Sequence, residues 1–373
     1  MEGGGFMIYL DHGATSFLKP PQVANAMMVA MKQLSSVGRG GYPAAMAAAA
    51  VVHKCREEAG VLFHARPEQV VFTMNATHGL NIAIHSLCKP GMTVAISGYE
   101  HNAVLRPLQA AGARLVVCGR ELFQPEQAIS DFEKALADGA ELVVCTCCSN
   151  VFGYVLPYAD IGRLCKQWEV PLILDGSQGA GTLPISLADS GAAFIAMPGH
   201  KGLYGPQGTG ILLCNQPGKP LICGGTGSNS RDLYMPEELP DRLEAGTHNV
   251  CGIAGLLEGI RYVRRQRPER ILKREQRLKD LLAEMLDSYK GLHLYCGEGQ
   301  SGVLSFTVEC RDPEEIAYDL GLQGVAVRAG LHCAPLAHES AGTSPSGTVR
   351  ISLSDRNKEA ELIQFSRIFK KIL

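Results

Sequence analysis

The sequence predicts an α/β protein: a large domain around a mainly parallel sheet, then a smaller α+β domain at the C-terminal end. Three observations predict it. Short apolar runs alternate with helical patterns over the first half of the chain and beyond. Most of these runs are apolar throughout instead of alternating, as in strands covered on both faces. Near residue 247 the texture changes to a long stretch rich in Arg, Lys, Glu and Leu, followed by further short strands.

The strands are expected at 70–73, 93–97, 115–118, 142–146, 171–175, 193–197 and 210–214. Helical patterns at 77–87, 102–111, 125–137 and 158–168 lie between them, and Pro125 suits a first helical turn. A β-α-β-α order implies right-handed crossovers. The alanine run 44–50 reads as helix. Residues 253–288 read as one long helix or two, broken at Pro268. Strands at 292–296, 302–308, 325–327 and 349–353, a helix at 313–320 and a last helix from 358 to the end complete the smaller unit. The boundaries expected are an N-terminal segment 1–16 packing with the small domain, a large domain 17–247 and a small domain 248–373.

Composition excludes several classes of function. The chain has 373 residues, and 46% apolar content is enough for large cores. The formal net charge is −2, with no basic stripe for nucleic acid and no acidic tail. No apolar stretch reaches the length of a membrane span. Residues 1–7 lack a charged n-region and a long apolar core, so no signal peptide is expected. The 13 cysteines are dispersed, and Cys145, Cys147 and Cys148 cannot pair with one another on one strand. Reduced thiols in a cytoplasm are the expectation, with Cys165 and Cys214 as small buried hydrophobes. No His/Cys set has zinc spacing, so no metal is expected.

The chemistry concentrates where the strands end. Ligands of open parallel sheets bind at the carboxyl ends of strands. "MNAT" (74–77) follows the first strand and opens a helix, which makes either an anion site of free N–H groups or an ordinary N-cap at Thr77. His101 follows the next strand and can stack on a planar ring, shuttle protons or cap a helix. Asn150 follows the run 142–146. Asp175 ends a buried strand, where a carboxylate needs a facing cation or caps the next helix. Lys201 follows the strand 193–197, with His200 before it and a glycine-rich loop after it. A phosphate cradle, a ring stacker, an acceptor for a pyridinium N–H and a lysine that can bond a carbonyl together point to pyridoxal phosphate.

"YLDHGATS", "NATHGLN", "EHNAV", "SNVFG", "DGSQGAG", "GHKGLYGPQGTG", "RLEAGTHN" and "VRAGLHCAPL" together resemble the aminotransferase class V enzymes of fold type I. Within these, the cysteine desulfurases and selenocysteine lyases are the nearest match. The resemblance runs from Tyr9 to the last helix. It implies a pyridoxal phosphate enzyme with Lys201 as the covalent cofactor lysine. Asp175 would pair with the pyridine nitrogen, Gln178 would contact the ring hydroxyl, and His101 would stack on the ring. Ala76, Thr77 and His200 would hold the phosphate. Thr247 would reach the phosphate of the partner subunit's cofactor, which implies a homodimer. Asn150 would lie beside substrate and ring, Gly13 and Ala14 would line the substrate side, and Arg350 would clamp the substrate carboxylate, with Arg328 nearby. L-cysteine would become alanine, with its sulfur passing to Cys333 as a persulfide and onward to an acceptor protein. L-selenocysteine, giving selenide, is the alternative substrate, and another class V reaction is a third reading.

Two positions depart from the family pattern. Asp11-His12-Gly13-Ala14-Thr15 stands where the family has Asp-Asn-Ala-Ala-Thr. Pro198 replaces a serine or threonine near the phosphate, removing a hydroxyl and an N–H. Cys333 itself lies in polar, glycine-rich surroundings between Arg328 and Arg350, where a partly exposed thiol gains thiolate character. The residues after it, up to Gly347, read as a flexible loop.

Overall fold

The computed structural model describes residues 7–38, 40–228 and 230–372. The stretch 1–6, in which a signal peptide was not expected, lies outside them, as does the last residue. Along the chain come β1 (Ile8–Tyr9), α1 (Pro21–Gln33), α2 (Pro43–Phe63), β2 (Val70–Thr73), α3 (Ala76–Leu87), β3 (Thr93–Ser97), α4 (Asn102–Ala110), β4 (Arg114–Cys118), α5 (Pro125–Ala137), β5 (Leu142–Thr146), α6 (Tyr158–Gln167), β6 (Leu172–Asp175), β7 (Phe194–Pro198) and β8 (Gly210–Cys214). Then follow α7 (Val250–Gln266), α8 (Pro268–Leu286), β9 (Leu292–Tyr295), β10 (Val303–Val308), α9 (Pro313–Leu322), β11 (Val325–Ala326), β12 (Arg328–Gly330), α10 (Pro335–Ser340), β13 (Thr348–Ser352) and α11 (Glu359–Ile372). Proline opens α1, α2, α5, α8, α9 and α10, where its missing N–H costs nothing.

The seven-stranded sheet has the order β2-β8-β7-β6-β5-β3-β4. Pairings from β4 through β7 are parallel, and β8 runs antiparallel to both its neighbours. Two reversals restore the direction, so β2 points the same way as β7. β5, β6, β7 and β8 are buried at every residue because both faces are covered. Ile195 and Met197 of β7 pack with Phe63 of α2, Phe132 of α5 and Ile161 of α6 on one face. Phe194 and Ala196 pack with Leu80 and Ile84 of α3 and Val104 of α4 on the other. The strand's period of two thus feeds two cores.

The second sheet, β12-β13-β10-β9, is antiparallel. Leu304, Phe306 and Ile351 of that sheet pack with Leu278, Phe365 and Phe369 of α8 and α11. β1 adds a parallel pairing to β11, Ile8 opposite Val325.

Two expectations are corrected, and one helix is added. The single strand at 325–327 is two strands in different sheets, because the chain passes at Val327 from pairing with β1 to pairing with β13. α1 had no counterpart among the helices expected from the sequence. The loop after Cys333 contains α10, closed by Ser340 Oγ donating to Gly98 O at 2.9 Å and by His338 Nδ1 against Thr343 Oγ1 at 2.7 Å.

Candidate active site

β2, β3, β5, β6 and β7 all end on one rim of the large sheet, and the order reverses between β3 and β5. Such a switch point leaves a crevice. The cavity there has a volume of ≈ 510 Å³ counting its open mouth, and its walls include Ala76, Thr77, His101, Asn150, Asp175, Gln178, His200 and Lys201. The structure therefore brings together residues that the sequence scatters over more than a hundred positions. Pro198 is in the same wall.

At the start of α3 the cap is Asn75, not Thr77: its side chain accepts from His78 N at 2.9 Å, and Gly79 N donates to Asn75 O. Thr77 Oγ1 and the N–H groups of Ala76 and Thr77 stay without partners among the described residues. Gly210 of β8 makes this turn possible, since a Cβ there would lie 2.8 Å from the Asn75 carbonyl carbon. His200 adds a buried Nδ1 that has no partner among the described residues. Its pKa is pushed down to about 4, mainly by burial and then by Lys201 and Lys19.

His101 is a helix cap and also lines the cavity. Its Nδ1 accepts from Ala103 N at 2.9 Å, capping α4, while the ring walls the cavity. That bond places the neutral ring's proton on Nε2. Burial lowers the pKa, opposed by Asp175. Asp175 is 3% exposed; one oxygen accepts from Ser177 N at 2.8 Å, and the other has no partner among the described residues. Glu100 lies within its field. Fully buried, it accepts from Ser97 Oγ at 2.5 Å and Thr146 N at 2.7 Å. Burial, and then Asp175, push its pKa up to about 8, so it is mainly protonated at neutral pH. Lys201 is pushed down to about 8, chiefly by burial and against the pull of Asp175. At neutral pH more of its amine is neutral than in an ordinary lysine, though the protonated form still dominates, and the shift favours its use as a nucleophile or base.

The N-terminal segment closes one side. Gln178 Nε2 donates to Gly13 O at 3.1 Å, and Gly13 N donates to Ser352 Oγ at 2.7 Å. A Cβ on Gly13 would lie 3.1 Å from Arg350 Cζ, so the departure from alanine makes room for the guanidinium. Ala14, half-buried, follows it. Arg350, 2% exposed, donates to Asn150 O at 3.0 Å and to Asp11 Oδ1 at 2.7 Å, leaving its Nε buried and unpartnered. Arg328, half-exposed, donates to Asp11 Oδ2 from Nη2 at 3.0 Å and from Nε at 3.1 Å. Asp11 and Glu100 were missed as site residues from the sequence.

Cys333 is exposed and sits with φ +55°, after His332 at φ +50°. Non-glycine residues rarely adopt this region, and two in succession need outside support. Asn150 Nδ2 donates to His332 O at 2.9 Å, Asn102 N donates to Cys333 O at 2.8 Å, and His332 Nε2 meets Thr348 O at 3.1 Å. Asn150 thus ties the thiol turn to the cavity, and Arg328 is within electrostatic range of Cys333. Thr247 does not enter this cavity within one chain. It is exposed and lines a neighbouring one with Met74 and His248.

The donor set fits pyridoxal phosphate. Free N–H groups, a hydroxyl and an orphaned imidazole nitrogen suit a phosphate. The free Asp175 oxygen suits a pyridinium N–H, and the amine of Lys201 suits a carbonyl carbon. Pro198 adds no donor to the cradle. Among the described residues no group of histidine, cysteine or carboxylate side chains could hold a metal ion, and no helix is long and apolar enough to cross a membrane.

Comparison with known proteins agrees. A probable cysteine desulfurase of Methanothermobacter thermautotrophicus is 32% identical over 370 residues, covering 95% of this chain and 92% of its own. One of Pyrococcus abyssi is 28% identical and covers 98% and 94%. The solved apo structure of a cysteine desulfurase from Thermococcus onnurineus superposes with a TM-score of 0.91 at 30% identity, covering 98% and 94%. The aminotransferase class-V family matches residues 8–365, and with that match over nearly its whole length the chain belongs to this family.

Proposed function

We propose that this chain is a pyridoxal-phosphate-dependent cysteine desulfurase. L-cysteine and the Cys333 thiol give L-alanine and a Cys333 persulfide, so the sulfur moves and every other atom stays. The observation that carries the reading is the exposed thiol of Cys333 on a turn tied by Asn150 to the Lys201 cavity.

When bound, the cofactor supplies an electron sink beside the substrate's α-carbon. The chain's residues do the rest. Arg350, anchored by Asn150 O and Asp11, is the group assigned to the substrate carboxylate. Asp175, with one carboxylate oxygen free of partners among the described residues, would hold the pyridinium N–H of the ring. Lys201, with a lowered pKa, takes the α-proton. The Cys333 thiolate attacks the substrate sulfur: an S–S bond forms, the C–S bond breaks, and its electron pair stays with carbon, which is then protonated. His101, over the cavity with Nε2 as its proton-bearing atom, is the candidate proton carrier. Cys333 is exposed on its turn, which is where an acceptor protein would take the sulfur. We assign Thr247 to the cofactor phosphate of a second copy, which makes the active unit a homodimer. Mixed Lys201→Ala and Thr247→Ala protomers should then regain activity that neither has alone.

Cys333→Ala tests the reading. It should keep the cofactor's visible absorbance and still respond spectrally to L-cysteine, yet release no alanine from it. Mass spectrometry of the wild type after substrate should show one extra sulfur on Cys333, removed by reductant. Alanine release by Cys333→Ala at the wild-type rate would overturn the mechanism. Turnover of L-selenocysteine alone by the wild type would replace desulfurase with lyase.

A further inference from the structure

His332 comes immediately before the thiol and is buried. Its Nε2 meets Thr348 O at 3.1 Å and Thr348 Oγ1 at 3.4 Å. A carbonyl only accepts, so Nε2 carries the ring proton and donates it. The other nitrogen, Nδ1, is buried with no partner among the described residues. The ring packs on that of His338, with 5.7 Å between centroids and 30° between planes, and His338 Nδ1 is fixed against Thr343 Oγ1 at 2.7 Å. Burial, and then Arg350 and His338, push the pKa of His332 down to about 2, so near neutral pH the ring is an uncharged donor. These bonds close a circuit. Asn150 Nδ2 donates to His332 O at 2.9 Å, and Asn150 O accepts from Arg350 Nη1 at 3.0 Å. Arg350 and Thr348 stand two residues apart on β13, on one face of the strand. Thr348 O then takes the His332 proton. His332 is thus held by its backbone on one side and by its ring on the other. Cys333 follows it in the same left-handed region, its carbonyl accepting from Asn102 N at 2.8 Å. Two such residues in succession cost strain that the surroundings must offset.

We propose that His332 is a positioning residue for the sulfur-transfer step: its ring, anchored to Thr348, holds the left-handed turn that carries the Cys333 thiol. The inference rests on the reading that Cys333 receives the sulfur. Attack on the substrate sulfur needs the thiolate in near contact with it and in line with the C–S bond that breaks. A misplacement of about 1 Å can cost on the order of a hundredfold in such a step. Binding of the amino acid and removal of its α-proton use neither His332 nor Cys333, so a loosened turn leaves them intact. His332 touches no reacting atom and acts only through its neighbour.

The test compares His332→Asn with His332→Gln in the cofactor-loaded protein. Asparagine tolerates the left-handed backbone but is too short to reach Thr348. Glutamine can bring its amide nitrogen near the place of Nε2 and donate the same bond. Three readouts are taken: the rate of persulfide formation on Cys333 in a single turnover of L-cysteine, Kd for L-alanine from the cofactor's visible spectrum, and amide hydrogen exchange over the turn and at Asn102. His332→Asn should slow persulfide formation at least about tenfold while Kd for L-alanine stays within about threefold of wild type. Its turn amides should exchange at least about tenfold faster. His332→Gln should bring both the rate and the exchange back to within about threefold of wild type. Persulfide formation by His332→Asn within about threefold of wild type overturns the inference, and so does an equal loss in His332→Gln. A fall in L-alanine affinity that matches the fall in rate also overturns it, since the damage is then general. Should His332→Asn fail to fold, heteronuclear NMR of histidine-labelled wild type decides. The His332 ring, identified by its missing signal in His332→Gln, should carry its proton on Nε2, and a proton on Nδ1 overturns the proposal. A wild type that forms no persulfide on Cys333 overturns the functional reading, and amide exchange, which needs no substrate, still decides whether His332 holds the turn.

Discussion

Replacing Glu100 with glutamine should change how stability depends on pH, and the size follows from its burial. Its carboxyl is 0% exposed; one oxygen accepts two hydrogen bonds and the other has no partner among the described residues. Burial and then Asp175 raise the pKa from 4.5 to about 8. A raised carboxyl pKa means that the folded chain binds a proton the unfolded chain gives up. The stabilisation is complete below the unfolded value and is lost as pH rises through the folded one. Each pH unit between those two values is worth about 1.36 kcal/mol, so the full swing reaches about 5 kcal/mol. Glutamine keeps an acceptor oxygen for Ser97 and Thr146 and has nothing to titrate. Urea unfolding of the cofactor-free proteins at about pH 5 and about pH 8 should show Glu100→Gln gaining about 4 kcal/mol on wild type between the two conditions. Parallel stability profiles, within about 1 kcal/mol across that window, would refute the argument that Glu100 is held protonated.

Other outcomes follow from the same geometry. Lys201→Ala should abolish turnover, and borohydride reduction of the wild type with peptide mapping should place the pyridoxyl label on Lys201; a label on another lysine overturns the assignment. Asp175→Asn should weaken cofactor affinity by roughly ten- to a hundredfold in an equilibrium titration, the loss of a charge-assisted bond of about 1.5–3 kcal/mol. Glu244→Gln should cost about 3–5 kcal/mol in urea unfolding, since it deprives the buried Arg56 of its carboxylate partner. A loss below about 1 kcal/mol would show that Arg56 finds compensation elsewhere.

What could be read from the sequence follows how local each signal is. β2, β3, β5 and β8 start and end where their short, strand-like runs do, at 70–73, 93–97, 142–146 and 210–214. Pro268 separates α7 from α8 as its missing N–H demands. α1 was invisible because Met28, Val29 and Met31 are at least half exposed, so its apolar residues make no single buried stripe. α10 is six residues long, too short for a period to show. The cavity residues could be named because each closely follows its own strand. Asp11 could not, since its partner Arg350 lies 339 positions away. Glu100 could not either, because its altered protonation comes from burial, which a sequence does not display.

The segment from β1 to Ser16 works as a strap with two fastenings. One end is fastened to the small sheet, where Ser352 N donates to Leu10 O at 2.8 Å and His12 N donates to Ser352 O at 3.2 Å. At the other end Thr15 Oγ1, Ser16 N and Ser16 Oγ all donate to His200 O, at 3.0–3.1 Å. That carbonyl belongs to the residue just before Lys201. Any rocking of the small sheet therefore pulls at the peptide that carries the lysine, and Asp11, midway along the strap, carries both arginines with it. Amine and guanidinium groups are thus linked through one nine-residue span hydrogen-bonded at both ends, and cleaving the chain at Ala14 would break that link without removing a single site residue.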